Sequence, residues 1–328
     1  MSKKHSRWQQ VKKIFTWLFF IAVIVLLVVY ARKVNWDDVI DVIVNYNRTV
    51  ILTAVGLVVV SYLTYGVYDL IGRAYCGHKL AKRQVMLVSF ICYAFNLTLS
   101  TWVGGVAMRY RLYSRLGLPG GTITRIFSLS IATNWLGYIL LAGVVFVAGM
   151  VPIPQGWFIG GQTLRIIGGC LLTGVALYLW ACAFAKRRRW TVKGQHLQLP
   201  SLRMALFQFA VSCANWMVMG AIIWLLLAQR VDYPVVLGVL LISSIAGVII
   251  HIPAGIGVLE AVFLALLSGQ HVSHGTIIAA LLAYRVLYFI LPLLLALVLY
   301  LWLESRARHL RQLNERRMAE STPSENGT

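Results

Sequence analysis

Acid is what this chain has least of. Ten Asp and Glu stand against thirty Lys and Arg in 328 residues, and charged residues of either sign make up only 12% of the sequence. Long stretches carry no charge at all: 14–31, 84–108, 233–259 and 261–284 hold no Asp, Glu, Lys or Arg. Several such runs reach the ~20 residues that a helix needs to cross a bilayer. With 59% hydrophobic residues, they leave no room for a separate soluble domain. The expectation is an all-α, polytopic helical membrane protein. A formal net charge of +20 would suggest nucleic acid in a soluble protein. Here it reads as basic loops facing an anionic leaflet, and no nucleic-acid partner is expected.

Other absences exclude chemistry. The five cysteines form no CxxC pair, and most sit in apolar runs where Cys behaves as a small hydrophobe, so neither a disulfide nor a metal site is expected. The chain has no GxxxxGK[ST], no HExxH, no paired intramembrane aspartates and no Ser/His nucleophile pair. It is therefore not expected to be an enzyme, to bind ATP or to need a cofactor.

Loop charges set the predicted topology. Lys3, Lys4, Arg7, Lys12 and Lys13 precede the run 14–31, which is too long for a signal-peptide core and reads as a retained first span with a cytoplasmic N-terminus. Residues 32–48 balance base against acid and suit an external interfacial helix. Further spans are expected at 49–68, 126–150, 166–185, 204–229 and 275–303. Asp69 and Arg73, four residues apart, are expected to pair locally. The basic run Lys186, Arg187, Arg188 and Arg189 marks a cytoplasmic loop and a contact with anionic lipid at the bilayer surface. The tail 304–328 is basic, then polar and partly disordered, and cytoplasmic.

Two segments do not read as simple spans. In HIPAGIGVLEA (251–261), Pro253, Gly255 and Gly257 interrupt an apolar run and Glu260 follows. A charge at the bilayer centre costs roughly 2.5–3.5 kcal/mol on insertion scales and marks a functional site by default. Broken backbone survives in lipid only where it is buried in protein or lines a wet cavity. The same arrangement occurs earlier, where VGGVAMR (103–109) places Gly104 and Gly105 before Arg109. The offset from Gly104 to Gly255, and from Arg109 to Glu260, is 151 residues in both cases. With both ends of 84–117 on the cytoplasmic side, 84–100 and 105–117 form a re-entrant hairpin whose tip lies near Thr101–Gly105. Residues 235–270 form a second hairpin entering from outside. The result is six full spans plus two inverted re-entrant hairpins, in one transmembrane domain over 1–303 with inverted halves around 49–150 and 204–303. Eight full spans are the alternative. Interrupted hydrophobic segments at matching places in two halves point to a transporter's binding site.

The candidate binding or gating residues follow from these breaks. Guanidinium forks suit a phosphate, which favours Arg109 and Arg111. Glu260 needs a partner, with Arg285 or Arg109 as candidates. Asn134, Asn215, Tyr284 and Tyr288 are polar groups within spans, suited to a cavity or to interhelical hydrogen bonds.

NLTLSTWVGGVAMRYRLYSRLGL (96–118), HIPAGIGVLEA (251–261) and AYRVLYFILPLLLAL (283–297) resemble the transmembrane-domain family of lysylphosphatidylglycerol synthase/flippase proteins, over nearly the whole chain. The family's glycine-rich and charged positions correspond to Gly104, Gly105, Arg109, Pro253, Gly255, Gly257, Glu260 and Arg285. The resemblance implies a bacterial inner-membrane location and a lipid-handling role. In bifunctional relatives this domain is associated with moving aminoacylated phospholipid between leaflets, and a separate soluble domain makes that lipid. Aminoacyl transfer is not expected of this chain. The expected function is a lipid transporter or flippase for an anionic phospholipid headgroup or related lipid. The alternative is a non-transporting membrane partner of a lipid-synthesis enzyme.

Overall fold

The computed structural model describes residues 46–99, 101–154, 160–185, 189–192, 195–250, 257–267 and 272–320, together with Val44 and Gly255. The expected first span at 14–31, Lys186–Arg188, His251, Pro253 and the last eight residues lie outside the described residues. The chain divides into two units, Met1–Asn45 and Tyr46–Thr328. Among the described residues, six helices are long and apolar enough to cross a membrane, and all belong to the second unit.

Helix α1 is Arg48–Cys76, started by the Asn47 side chain accepting from the Thr49 N–H. Helix α2 (Lys82–Thr98) leads into a π-helical segment, Thr101–Met108, and a short α3, Arg109–Arg115. Then come α4 (Gly120–Val147), α5 (Gly161–Phe184), α6 (Leu202–Leu226) and α7 (Tyr233–Ile250). The series closes with α8 (Val258–Leu267), α9 (His274–Arg285), a π-helical segment at Val286–Ile290, and α10 (Leu291–Glu320). Helix α1 packs against α2, α4 and α6.

The outer surface is unlike that of a soluble protein. Helix α1 turns Ser61, Tyr62, Tyr65, Tyr68 and Asp69 inward, while Leu52 (71% exposed) and Leu63 (53%) face out. Outward apolar residues and inward polar ones suit a hydrocarbon solvent.

Five of the expected spans coincide with long helices. The sixth long helix is Tyr233–Ile250, a stretch that the sequence assigns to a hairpin limb. Nothing in it breaks a helix before residue 251, so the limb grows as long as a span. Its partner α8 has ten residues, about 15 Å of helix, and packs back against it. In the first hairpin the π-helical segment Thr101–Met108 packs against α2. A Cβ on Gly104 would fall on the Asn96 nitrogen and the Phe95 carbonyl carbon. The two limbs therefore touch backbone to backbone.

Two further departures are local. Two short strands, β1 (Arg189–Val192) and β2 (Gln195–Gln198), pair antiparallel, with Val192 opposite Gln195. The basic part of the tail is helical, because α10 runs on to Glu320. Pro292 explains the π-helical segment before it. Proline has no N–H and its ring crowds the carbonyl four residues back. That carbonyl belongs to Tyr288, and the Tyr62 hydroxyl donates to it at 3.0 Å.

His78 lies in the turn after α1, with both ring nitrogens buried and unpartnered. Burial, and then the nearby Arg73 charge, push its pKa from 6.5 down to about 4. Above pH 6.5 the ring is neutral folded or unfolded. Below it the unfolded chain takes up a proton that the folded turn refuses until about pH 4, so stability falls across that window. Thermal unfolding in detergent should show this fall, and His78→Leu should flatten it. In the same assay Gly104→Ala should destabilise the protein by ~1–3 kcal/mol or more. Gly56→Ala, where a Cβ meets open space, should leave it unchanged or slightly raised.

Candidate functional site

Three ion-pair clusters tie the hairpins to the helices around them. Arg109 opens α3, in the second limb of the first hairpin, and is 2% exposed; Asp69 on α1 is fully buried. Arg109 Nη2 donates to Asp69 Oδ1 at 2.9 Å and Nε reaches Oδ2 at 3.4 Å. The Tyr113 hydroxyl donates to Oδ2 at 2.9 Å, and the Ser130 hydroxyl to Oδ1 at 2.6 Å. The guanidinium lies 4.7 Å from the centre of the Tyr93 ring. Among the described residues, its Nη1 makes a single long contact of 3.5 Å, to the Gly105 carbonyl. The local Asp69–Arg73 pair expected from spacing is not formed. Arg73 Nε donates to the Leu80 carbonyl at 2.8 Å, because Asp69 points into the bundle while Arg73 lies at the helix end.

Glu260 takes the first of its two expected partners. Arg285 grips it with two prongs, Nε to Oε1 at 2.5 Å and Nη2 to Oε2 at 2.9 Å. Arg285 Nη2 also donates to the Gly255 carbonyl at 3.1 Å, and Glu260 Oε2 accepts the Gly257 N–H at 2.9 Å. Glu260 is thus the third residue of α8, reaching back to cap its start. Gly255 and Gly257 both have positive φ, +58° and +84°, which glycine adopts without strain. Arg111 belongs to a third cluster, away from Arg109. Arg111 and Arg115 both bind Glu304 Oε1 on α10, at 3.2 and 3.0 Å. Arg189 opens β1.

A cavity of about 200 Å³ opens beside the first pair. Its wall joins α1, both limbs of the first hairpin, α4, α6 and the end of α7. Rings of Tyr65, Tyr93, Phe127, Trp135, Tyr138 and Trp216 line it, with Arg109, Asn96, Asn134 and Ser244 as polar groups. The amide oxygens of Asn96 and Asn134 are buried and have no hydrogen-bond partner. Of the other polar groups expected in spans, Asn215 and Tyr288 join Ser61 in a hydrogen-bonded knot, with Ser61 Oγ 2.6 Å from Asn215 Oδ1 and 2.7 Å from the Tyr288 hydroxyl. Tyr284 stacks on Tyr288 with ring centres 5.1 Å apart. Sequence reasoning misses Asp69 as the partner of Arg109, and it misses the aromatic wall. A signal for part of the wall exists, since Tyr62, Tyr65 and Tyr68 recur every three residues and so share one helix face. Among the described residues no cluster of His, Cys, Asp or Glu could hold a metal ion.

Removing one partner of a buried ion pair strands the other charge, at a cost of about 3–5 kcal/mol. Asp69→Asn and Arg109→Gln should each destabilise the protein by that order. The double variant should cost clearly less than the two together, as read by denaturant unfolding in micelles.

The chain matches the family described as the lysylphosphatidylglycerol synthase TM region over residues 17–296. It is 72% identical to the inner membrane protein YbhN of Escherichia coli, over 97% of this chain and all of that one. It is 26% identical to the uncharacterized protein slr0712 of Synechocystis, over 79% of this chain and 81% of that one. It is 23% identical to a phosphatidylglycerol lysyltransferase of Bacillus subtilis over 85% of this chain, which is a third of that longer protein. The chain belongs to the lysylphosphatidylglycerol synthase transmembrane-region family.

Proposed function

We propose that this member of the family carries a phospholipid headgroup between leaflets, through the cavity beside Arg109, while the acyl tails stay in lipid. One observation carries the reading: a buried guanidinium, held by Asp69 through Nη2 and Nε, borders an aromatic-lined cavity where the first hairpin meets α7 of the second. An ionisable group inside a membrane is costly even when paired, and marks a functional site by default. A guanidinium with a loosely bonded Nη1 offers phosphate a charged donor. The two hairpins are read as inverted counterparts, entering from opposite faces. In each the break is followed by a charge, Arg109 or Glu260, clamped by its opposite, Asp69 or Arg285. Access would alternate as the halves rock about them. The placement follows the inner membrane named for the Escherichia coli relative, with both chain ends in the cytoplasm. The protein is read as a transporter and not an enzyme.

The test is headgroup accessibility in proteoliposomes holding tail-labelled phospholipid, quenched from outside over time. Wild type, Arg109→Lys and Glu260→Gln would run beside protein-free vesicles. The expected outcome is protein-dependent transfer that both substitutions reduce by about tenfold or more, the loss of one charge-assisted hydrogen bond. Arg109→Lys keeps a cation for Asp69 but loses the planar fork. Equal transfer with and without protein would reject the reading in favour of a non-transporting partner of a lipid-synthesis enzyme.

A further inference from the structure

The chemistry of the cavity wall selects among phospholipids. We infer that it takes a small zwitterionic headgroup, a phosphate joined to an ammonium, in preference to an anionic one. This rests on the cavity being the headgroup site, and it departs from the anionic headgroup that Arg109 by itself suggests.

Charge balance is the first argument. Asp69 already neutralises Arg109, so the wall is neutral overall. A headgroup carrying one net negative charge would bring an uncompensated charge into a largely apolar cavity, which is expensive. A zwitterion brings none.

The remaining surface is the second argument. Trp216 spends its N–H on the Asn134 carbonyl at 3.3 Å. Tyr138 spends its hydroxyl on the Leu241 carbonyl at 2.9 Å, and Tyr65 directs its own at the Met219 sulfur, 3.7 Å away. These three rings have their donors engaged and offer π-electron surface, which attracts cations. The Ser244 hydroxyl donates to the Leu240 carbonyl at 2.7 Å, leaving it lone pairs for a ligand. The Ser244 lone pairs and the ring faces suit an ammonium, while Arg109 Nη1 suits the phosphate.

Size is the third. At about 200 Å³ the cavity falls below the ~300–1,000 Å³ of ordinary small-molecule pockets. That is room for a phosphoethanolamine-sized group.

Two measurements separate this inference from the transport reading. Binding of soluble glycerophosphoethanolamine and glycerophosphoglycerol to the full-length protein in detergent tests the inference without transport. The first should bind about tenfold more tightly, the order of a desolvated cation–π contact, and Trp135→Leu should erase the difference. Transfer in proteoliposomes should likewise favour phosphatidylethanolamine over both phosphatidylglycerol and N-acetylated phosphatidylethanolamine, which keeps the phosphate and loses the ammonium. Equal or tighter binding of glycerophosphoglycerol, or no binding of either probe, would overturn the inference whatever the transport result. Selective binding without transfer would uphold the ligand class and reject transport. If Trp135→Leu does not fold, the wild-type comparison of the two probes decides alone.

Discussion

The buried Asp69–Arg109 pair is the interaction on which the arrangement of this protein turns. Neither charge is tolerable alone in a membrane interior, and each belongs to a different part of the chain. Asp69 sits on α1, while Arg109 stands where the first hairpin leaves its π-helical turn. Tyr113 from α3 and Ser130 from α4 complete the carboxylate's hydrogen bonds. One carboxylate thus ties three segments together, and it holds Arg109 at the cavity wall. Moving Asp69 to an uncharged residue would remove the reason for α1, the first hairpin and α4 to meet where they do.

The second hairpin solves the same problem by different means. Glu260 caps its own short helix and is gripped by Arg285 from the helix that follows. The glycine-rich break before it supplies a carbonyl, that of Gly255, to the same guanidinium. The irregular backbone that looks like a defect in the sequence is here part of an ion-pair shell. The π-helical segment after Arg285 follows the same logic. Pro292 releases a carbonyl, and Tyr62 from α1 satisfies it.

The charged breaks were legible because a lone Glu or Arg in an apolar run stands out, but the partner of Glu260 stayed open between Arg285 and Arg109 until the fold brought Arg285 to it. Helical class and the long spans were legible for the same reason, since hydrophobic length is a one-dimensional signal. The partner of Arg109 was not, because Arg73 offers Asp69 a nearer match four residues away and a sequence cannot show that the two side chains leave the helix in different directions. The cavity was hidden more deeply. Its wall comes from six separated segments, and an aromatic residue in a membrane helix looks the same whether it faces lipid, a neighbour or a void. The length of the limb Tyr233–Ile250 was visible but competed with the hairpin reading, and only packing against α8 shows it to be both long enough to span and half of a fold-back.

The last membrane helix is held at two places. Arg285 is bound by Glu260 of the second hairpin, and Glu304 by Arg111 and Arg115 of the first. The nineteen residues from one anchor to the other make about 28 Å of helix, close to the ~30 Å of a bilayer's hydrocarbon core. This helix is a ruler clamped at both ends. It cannot slide along its axis without opening one clamp, so the spacing between the two hairpins along the helix is set by a count of residues.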